Sequence, residues 1–449
     1  MTYIYNIQMY FQMSKKVEGF SKFSKAEKIE WITHMHFDNS ENAKKLINEY
    51  NHSNPEIQKL HDDFVENSLT NFYFPLGVAP NFVINGSTYS IPMAIEESSV
   101  IAAASRSAKF WASRGGFKAD VLGTEKIGQV HFLFKGKAEK LNLFFKKNKK
   151  RLIESAEDIT KNMRKRNGGI TSIELRDKTE IIENYFQLHL TFETIDSMGA
   201  NFINSCLERI AKKLQSEALE YDNFTNEEKD IEVVMSILSN YVPKCIVQAS
   251  VNCPIDKLKV KSDLGSHGFA EKFVRAIEIS KNEPYRAVTN NKGIMNGIDA
   301  VLIATGNDFR AIEAAAHAYA TKEGSYRSLT NAYIKGSDFV FEIKLPMAIG
   351  TVGGLTQLHP MVKWSMELLG NPNSRTLMEI IAVVGLAQNF AAVQSLITSG
   401  IQKGHMKMHL LNILNQLKAT KIQKEDAILF FKNRTVSYSR VSDFLKSKS

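Results

Sequence analysis

The chain has 449 residues, of which 43% are hydrophobic and 23% are charged, and its formal net charge is +9. This length exceeds what one hydrophobic core usually supports, so two or three structural units are expected. The best candidate for a membrane span, Ile380–Ile397, is interrupted by Gln388, Asn389 and Gln394, the three cysteines form no CxxC pair, and the N-terminus lacks a secretory signal pattern. We therefore expect a cytoplasmic protein without a membrane span, a disulfide framework or a zinc ribbon.

The N-terminal part is predicted to be helical and then to form a hairpin. The pattern from Phe23 to about Glu66 is helical with polar breaks. Asn81–Pro92 is typical of a β-hairpin because apolar runs flank the turn-prone pair Asn85 and Gly86. Ser98–Arg114 is rich in alanine and predicts a helix that ends at two glycines.

The stretch from about Leu122 to Ser239 has its own pattern. The predicted elements are strand, helix, two strands, helix and strand, at Val130–Phe134, Lys149–Arg166, Thr171–Leu175, Tyr185–Glu193, Met198–Ala218 and Val233–Leu238. This β-α-β-β-α-β order is that of the ferredoxin-like fold.

The rest of the chain is predicted to continue the first domain and then to end in a separate tail. Apolar helical segments alternate with short strands, such as Phe339–Lys344, from Asn240 to Gly400, and the tail from Ile401 begins with an amphipathic helix. The predicted class is α+β. The predicted boundaries are a large helix-rich domain of residues 1–120 and 240–399, a small domain of residues 121–239, and a tail of residues 400–449.

Basic residues form two clusters, Lys146–Arg151 and Lys161–Arg166. A solvated helix face explains either cluster, and binding of a phosphate-rich cofactor is the alternative. No nucleic-acid motif with interleaved aromatic residues accompanies them, so a nucleic-acid partner is not predicted.

One segment has the features of a phosphate site outside the known dinucleotide motifs. No GxGxxG follows a strand and no GxxxxGK[ST] is present. In the segment Asp196–Asn201, Asp196 can cap a helix while Gly199 lets a pyrophosphate approach free N–H groups. An ordinary capped helix is the alternative interpretation.

The run Asn291–Asp308 is a candidate for catalytic chemistry. Its apolar part, Ala300–Ala304, lies between polar, glycine-rich turns that carry Lys292, Asn296 and Asp308. Buried strands that deliver charges to a cleft have this pattern, and a lysine there can act as a preorganised cation towards a developing oxyanion.

Two further pairs of residues have competing interpretations. Glu96 and Glu97 precede the alanine-rich helix, and they are either surface charges with a capping role or one carboxylate facing inward. His405 and His409 lie four residues apart on a predicted helix, a spacing that suits two metal ligands. No third ligand is evident, so we predict no metal site and favour one acid/base histidine.

Taken together, these motifs resemble those of class II 3-hydroxy-3-methylglutaryl-CoA (HMG-CoA) reductase, a soluble bacterial type of enzyme that interconverts this thioester and mevalonate. The resemblance runs from about Phe23 to the C-terminus. The motifs are Ile95–Ser105, Asp196–Asn201, Tyr285–Asp299, Ala304–Ala320, Val384–Ala392 and Gly400–Met406. Several motifs in the same order are far more specific than any one of them.

The resemblance implies a role for particular residues. The catalytic residues that it implies are Glu97, Lys292, Asp308 and His405. Contacts with the hydroxymethylglutaryl group are implied for Ser99, Arg286, Asn296, Asn240 and Gln388, and contacts with the cofactor for Asp196, Met198, Gly199, Ala200 and Asn201. It further implies that the small domain binds the cofactor, that residues 400–449 form a flap, and that the sites lie between the subunits of at least a homodimer.

The chain departs from the family's common residues at four positions, which are Ser98, Ser197, Asn290 and Gln357. Asn290 stands where the family has histidine. None of the four is a catalytic group, so the departures concern loop geometry and cofactor handling.

The choice of cofactor depends on a short basic segment. Thr160 stands where some NAD-preferring members have an acidic residue, and Lys161 follows it, which favours the 2′-phosphate of NADPH. Asp158 lies close enough that NADH stays possible.

The expected reaction is the reduction of HMG-CoA to mevalonate and CoA, or its reverse. The competing interpretation is a catalytically inactive CoA-binding or scaffold protein of the same fold.

Overall fold

The computed structural model describes residues 15–260, 263–398, 400, 410–432 and 434–447, except for the side chain of Gln357. With 50% helix and 19% strand, the chain has the mixed helix and sheet composition that was expected. The chain divides into two compact units after Pro75.

The first unit contains three helices, in agreement with the helical pattern of its sequence. They are α1 (Lys25–His36), α2 (Ser40–Glu49) and α3 (Pro55–Asp62). A polar side chain caps each N-terminus, from Ser24, Asn39 and Asn54 respectively. The Nζ atom of Lys25 lies 2.8 Å from a carboxylate oxygen of Asp62 and links α1 to α3.

The second unit begins with the predicted hairpin. Strands β1 (Leu76–Ile84) and β2 (Ser87–Ala94) are antiparallel, and Asn85 and Gly86 between them both have positive φ, at 49° and 88°. Such a pair matches the twist of the two strands. Helix α4 (Val100–Ala112) and the short strand β3 (Lys118–Val121) follow.

A four-stranded antiparallel sheet lies in the middle of the chain. Its strands are β4 (Lys126–Leu133), β5 (Gly169–Asp177), β6 (Tyr185–Glu193) and β7 (Glu232–Ser239), in the spatial order β5-β6-β4-β7. The helices between them are α5 (Ala138–Glu154), α6 (Glu157–Arg164), α7 (Ala200–Leu219) and α8 (Asn226–Lys229). The basic stretch near Lys149–Arg166 therefore forms two helices rather than the single helix predicted.

This sheet has its own hydrophobic core. The alternating residues of β6 are buried in it together with apolar residues of α5 and α7, namely Phe186, Leu188, Leu190, Phe192, Phe144 and Leu207. The alternation in the sequence thus predicted the buried face of the strand correctly.

The second four-stranded sheet is also antiparallel. Its order is β3-β8-β10-β9, with β8 at Ile246–Pro254, β9 at Thr330–Lys335 and β10 at Asp338–Pro346. The helices of this part are α9 (Gly265–Asn282), α10 (Pro284–Ala304), α11 (Phe309–Ala320), α12 (Leu355–Leu358), α13 (Pro360–Leu368) and α14 (Ser374–Ile397). The hairpin, α4, this sheet and these helices enclose the largest core.

Helix α14 is the centre of that core. Among the described residues it is the one helix long and apolar enough to cross a membrane, and 78% of its most apolar window is buried inside the protein. Packing against the surrounding elements therefore accounts for its apolar sequence.

The predicted buried strand at Ala300–Ala304 is wrong, because these residues are the last turn of helix α10. Close packing of α10 against α14 explains why so glycine-rich a segment is helical, and one glycine on each helix allows it. A Cβ on Gly297 would lie 2.9 Å from Gln388 Cβ, and a Cβ on Gly385 would lie 2.8 Å from the side chain of Ile298. The glycines thus allow α10 and α14 to pack closely, and this contact offsets their low helix propensity.

The C-terminal part has a small core of its own. Residues 410–416 are helical, and α15 (Lys421–Phe430) and α16 (Tyr438–Lys446) follow. Leu414, Ala427 and Val441 are fully buried against one another and their neighbours.

Candidate active site

The start of helix α10 places Arg286 in its first turn. Glu283 caps the helix by accepting hydrogen bonds from the backbone N–H groups of Tyr285 and Arg286, at 3.2 and 2.7 Å, and Pro284 occupies the first helical position. The capping residues therefore hold the backbone of Arg286 in a defined position.

The guanidinium of Arg286 is half-buried without a carboxylate partner among the described residues. Its Nη2 donates to Asn290 Oδ1 at 3.4 Å, and burial lowers the pKa of the guanidinium. A partly desolvated cation whose remaining donors lack an anion is suited to bind an anionic ligand.

Further along α10, Lys292, Asn296 and Asp299 are spaced by four and then three residues, so they lie along one face of the helix. Lys292 is exposed and Asn296 is half-buried. Within the described part of the chain, no hydrogen bond or ion pair involves the ammonium of Lys292. Like Arg286, this cation is available to a ligand.

Asp299 and Glu313 form a carboxyl pair between α10 and α11 that was not predicted. Burial first, and then the charge and the hydrogen bond of Glu313, raise the pKa of Asp299 from its ordinary 3.8 to about 8. Asp299 Oδ1 is buried without a hydrogen-bond partner in the described structure. A charged residue inside the otherwise apolar run Ile298–Ala304 was the signal in the sequence that could have identified this pair.

Asp308 lies beyond the C-terminal end of α10, at the N-terminus of α11. Its carboxylate caps α11 by accepting from the backbone N–H groups of Arg310 and Ala311, and it pairs with Arg310 Nε at 3.3 Å. The twelve residue-to-residue steps from Lys292 to Ala304 span about 18 Å of helix, and side chains on a helix tilt towards its N-terminus, away from that end. Within one chain the structure therefore does not bring Lys292 and Asp308 together.

The two consecutive glutamates that follow β2, Glu96 and Glu97, differ in solvent exposure. Glu96 is exposed, whereas Glu97 is half-buried and accepts a hydrogen bond from Ser99 Oγ at 3.4 Å. Ser99 is the N-terminal flanking residue of α4 but does not cap it with its side chain. Its hydroxyl is thus directed at Glu97.

Gln388 lies on α14 where Gly297 of α10 crosses it. The side chain is 6% exposed, and its Oε1 atom has no hydrogen-bond partner among the described residues. An unpaired buried amide oxygen costs stability unless a ligand or water satisfies it.

The predicted cofactor segment begins helix α7, but not in the way the sequence suggested. The N-terminal flanking residue is Gly199, with a φ of 85°, and no side chain caps the helix. Asp196 does not cap α7 as predicted, because its Oδ1 accepts from the backbone N–H of Ser374 at 2.8 Å, at the start of α14. The first-turn N–H groups of α7 are thus left for a ligand, as the cofactor interpretation requires.

Asn240 is exposed in the connection between β7 and β8. It lines a cavity together with residues of the cofactor segment and of α11, including Met198, Ala200, Ala311 and Ile312. Asn201 is exposed in the first turn of α7. The structure therefore brings Asn240 and the cofactor segment together, next to the helix that Asp308 caps.

The residues predicted to set cofactor preference lie on α6. Thr160 is buried, and its hydroxyl donates to the carbonyl of Glu157 at 3.3 Å, whereas Lys161 is exposed. Asp158 is engaged by Arg209 at 3.1 Å. The charge of Lys161 is therefore accessible to a cofactor phosphate, whereas the hydroxyl of Thr160 is not accessible.

His405 and His409 lie outside the described residues.

Comparison with known proteins now identifies the family. The family model described as hydroxymethylglutaryl-coenzyme A reductase matches residues 24–410. The chain belongs to the hydroxymethylglutaryl-CoA reductase family. The resemblance that the sequence motifs predicted is confirmed.

Two microbial relatives cover most of this chain. The 3-hydroxy-3-methylglutaryl-coenzyme A reductase of Archaeoglobus fulgidus is 36% identical over 411 residues, 91% of this chain and 88% of the relative. A probable enzyme of the same name from Borreliella burgdorferi is 35% identical and covers 80% of each chain.

Solved structures of the Streptococcus pneumoniae reductase are similar over nearly their whole length. One of class II, bound to NADPH in open conformations, has a TM-score of 0.69 and 36% identity, and the match covers 85% of this chain and 99% of that one. Another has a TM-score of 0.71 and 33% identity, with coverage of 96% and 99%.

A buried lysine beneath the cofactor segment of this family member was also missed from the sequence. Lys126 is 4% exposed, and its Nζ donates to Thr194 Oγ1 at 2.5 Å and to the carbonyl of Ser197 at 3.1 Å. Burial lowers the pKa of this lysine. A lysine at the start of an apolar strand was the only signal, and its partners lie about seventy residues away in the sequence.

Proposed function

We propose that this chain reduces HMG-CoA to mevalonate and free CoA, with NADPH as the preferred source of hydride and NADH as a possible substitute. The family membership and the NADPH-bound state of the pneumococcal class II relative support this proposal. The same catalyst serves mevalonate oxidation, and metabolite levels decide the direction.

The single observation that carries the proposal is the pair of cations on α10 that lack anionic partners in the described structure. Arg286 is partly desolvated with one neutral acceptor, and Lys292 is exposed on the face that also carries Asn296. The HMG group offers a distal carboxylate for a bidentate contact with a guanidinium. Its thioester carbonyl develops negative charge during reduction, which an ammonium stabilises.

The catalytic roles follow from the chemistry of two successive reductions. The nicotinamide cofactor supplies the two hydrides when it is bound. Lys292 stabilises the oxyanion formed at the thioester carbonyl, and Asp308 keeps the lysine charged and oriented. His405 protonates the departing CoA thiolate, and Glu97 donates the proton when the aldehyde carbonyl is reduced.

We further propose that each site combines residues of two chains in a homodimer. Lys292 lies about 18 Å along α10 from the C-terminal end of that helix, and Asp308 lies beyond that end, at the start of α11. Their joint action therefore requires Lys292 of one chain and Asp308 of a second. Isologous dimers place such pairs together twice, once on each side of the two-fold axis.

The arrangement of domains is part of the proposal. Residues 1–120 and 240–399 hold the substrate and CoA, residues 121–239 form an inserted ferredoxin-like domain for the cofactor, and residues 400–449 form the flap. The separate cores of β4–β7 with their helices and of residues 410–444 support these divisions. We also propose a cytoplasmic location.

The cofactor fits the N-terminus of α7. Gly199 gives its phosphates close access to the uncapped N–H groups of Ala200 and Asn201, and Met198 lines the adjoining cavity. Asp196 holds this segment against α14, and Lys161 supplies positive charge for a 2′-phosphate. Thr160 has an indirect role, since its hydroxyl is used within α6.

The alternative is a CoA-binding or scaffold protein without catalysis. The assay that decides follows nicotinamide absorbance and free thiol together after HMG-CoA is added to purified protein. We expect two NADPH oxidised for each CoA released, and a higher kcat/KM with NADPH than with NADH. Binding of HMG-CoA without any oxidation would instead identify the scaffold.

A further inference from the structure

A closed ring of polar side chains, three of them buried and that of Ser328 half-buried, adjoins Arg286. Asn290 of α10 and Asn389 of α14 are each 1% exposed, and Asn389 Nδ2 donates to Asn290 Oδ1 at 3.0 Å. Asn290 Nδ2 donates to Ser328 Oγ at 2.9 Å, Ser328 and Thr330 hydroxyls are 2.9 Å apart, and Thr330 Oγ1 donates to Asn389 Oδ1 at 3.0 Å. The ring joins α10, α14 and the start of β9.

The ring reaches the site at Arg286, one helical turn before Asn290. Arg286 Nη2 donates to the same Asn290 Oδ1 that Asn389 holds in place. This amide oxygen is the only side-chain acceptor of the guanidinium in the described structure. Gln388, whose Oε1 lacks a partner, is the neighbour of Asn389 on α14. This one ring thus fixes the helix turns that carry two of the proposed substrate contacts, Arg286 and Gln388.

The neutrality of this acceptor matters for an anion site. An amide oxygen orients a guanidinium while leaving its positive charge available. A carboxylate in the same place would form an internal ion pair at low dielectric and compete with the ligand. Because every member of the ring is an amide or a hydroxyl, its hydrogen bonding does not change over the working pH range.

We propose that Asn290 is a positioning residue for the substrate carboxylate, which orients Arg286 through a neutral, fully hydrogen-bonded ring and thereby sets affinity for the acidic end of the thioester. The inference rests on the proposed function, in which Arg286 binds that carboxylate. The selectivity of Arg286 for the substrate carboxylate then depends on Asn290, which does not contact the substrate.

The adjacent residue offers a matched control. Asn291 is also buried, at 0% exposure, but it bonds backbone atoms instead, with Nδ2 donating to the carbonyl of Arg327 at 2.8 Å and Oδ1 accepting from the N–H of Leu329 at 3.0 Å. It has no bond to Arg286. Asn290→Asp and Asn291→Asp thus introduce the same chemical change at similar burial, with and without access to the guanidinium.

The experiment compares the two variants with the wild type. It measures KM and kcat for HMG-CoA, calorimetric binding of HMG-CoA and of free CoA, and the melting temperature. For Asn290→Asp we expect KM and Kd for HMG-CoA to rise at least tenfold, kcat to change less than threefold, and free CoA, which lacks the carboxylate, to bind as before. For Asn291→Asp we expect a lower melting temperature and unchanged affinity for HMG-CoA.

Two results would overturn the inference. The first is an active wild type whose Asn290→Asp variant keeps its affinity for HMG-CoA, and the second is equal weakening in Asn291→Asp or for free CoA. A wild type that neither binds nor reduces HMG-CoA overturns the proposed function itself, and this inference with it. The wild-type measurement therefore separates the two failures. If Asn290→Asp does not fold, Asn290→Ser supplies the test, since it removes the amide oxygen without adding charge and should weaken HMG-CoA but not CoA.

Discussion

The two regions that carry the proposed chemistry differ in how their polar groups are satisfied. In the cofactor segment, Asp196 is bonded to Ser374, and Lys126 is bonded to Thr194 and Ser197. On α10, by contrast, Arg286 and Lys292 have no anionic partner in the described part of the chain. Hydrogen bonds within the protein thus hold the cofactor segment in place. The cations on α10 are instead available to pair with an anionic ligand.

This difference matches what each region must do. A backbone segment that receives phosphates works through the positions of its N–H groups, so it needs a rigid support. Cations that bind a carboxylate and an oxyanion must keep their charge available until the substrate arrives. Substitutions in the first region should therefore alter stability and cofactor affinity together, and those in the second should alter catalysis with little effect on stability.

The largest effect is expected for Lys292→Ala. Loss of an oxyanion cation should lower kcat by roughly 100- to 1,000-fold, with an unchanged melting temperature because the lysine makes no bonds within the described chain. The measurement is steady-state NADPH oxidation. Thr289→Ala, at an exposed position one turn earlier on α10, is the control and should keep full activity.

Mixed dimers of two inactive variants test whether Lys292 and Asp308 of different chains form one site. If a site combines two chains, inactive Lys292→Ala and inactive Asp308→Ala proteins, refolded together in equal amounts, should regain up to about a quarter of wild-type activity, since half the dimers have one intact site. No recovery in verified mixed dimers would contradict a shared site.

The next largest effect is expected for Arg286→Ala. Two charge-assisted hydrogen bonds to the substrate carboxylate are worth about 3 kcal/mol, so KM for HMG-CoA should rise roughly 100-fold. KM for NADPH should not change. Arg275→Ala, which removes an exposed guanidinium of α9, is the control and should keep the wild-type KM. A wild-type KM in Arg286→Ala would show that Arg286 does not bind the substrate.

A smaller and different effect is expected in the cofactor region. Asp196→Ala removes an acceptor from the first turn of α14, so unfolding free energy should fall by about 1 kcal/mol, and NADPH should bind several-fold more weakly. Asn373→Ala removes the side chain that caps the same helix at Thr376. Asn373→Ala should lower stability in thermal melts by a similar amount and leave NADPH affinity unchanged. A loss of NADPH affinity in both variants would show that Asp196 has no specific role in binding the cofactor.

The last prediction is a change in the pH dependence of stability, without a change in catalysis, and it concerns Asp299, whose pKa is raised to about 8 by burial and by Glu313. The folded state holds a proton that the unfolded state releases above its ordinary pKa of 3.8, so this group's contribution to stability falls as the pH rises from about 4 to about 8. Asp299→Asn should therefore raise the melting temperature increasingly between pH 5 and pH 8. Glu278→Gln, at an exposed position on α9, should give a constant difference.

The fold was predictable where a local pattern coincides with a structural need. The alternation in Tyr185–Glu193 and the pair Asn85 and Gly86 encode a strand face and a hairpin turn, and both were predicted correctly. The run at Ala300–Ala304 was not, because its conformation depends on close packing with α14 through Gly297, which is about ninety residues away from its partner. A short apolar run does not distinguish a buried helix from a buried strand.

By itself, the sequence determined the family, the residue types needed for the chemistry and the order of most elements, since these depend on motifs and local periodicity. Only the tertiary structure revealed that Asp196 supports α14 rather than capping α7, that Asn290 belongs to a polar ring and bonds Arg286, and that Lys292 and Asp308 lie apart in one chain. These facts depend on contacts between residues distant in sequence, and spacing along the chain carries no information about such contacts.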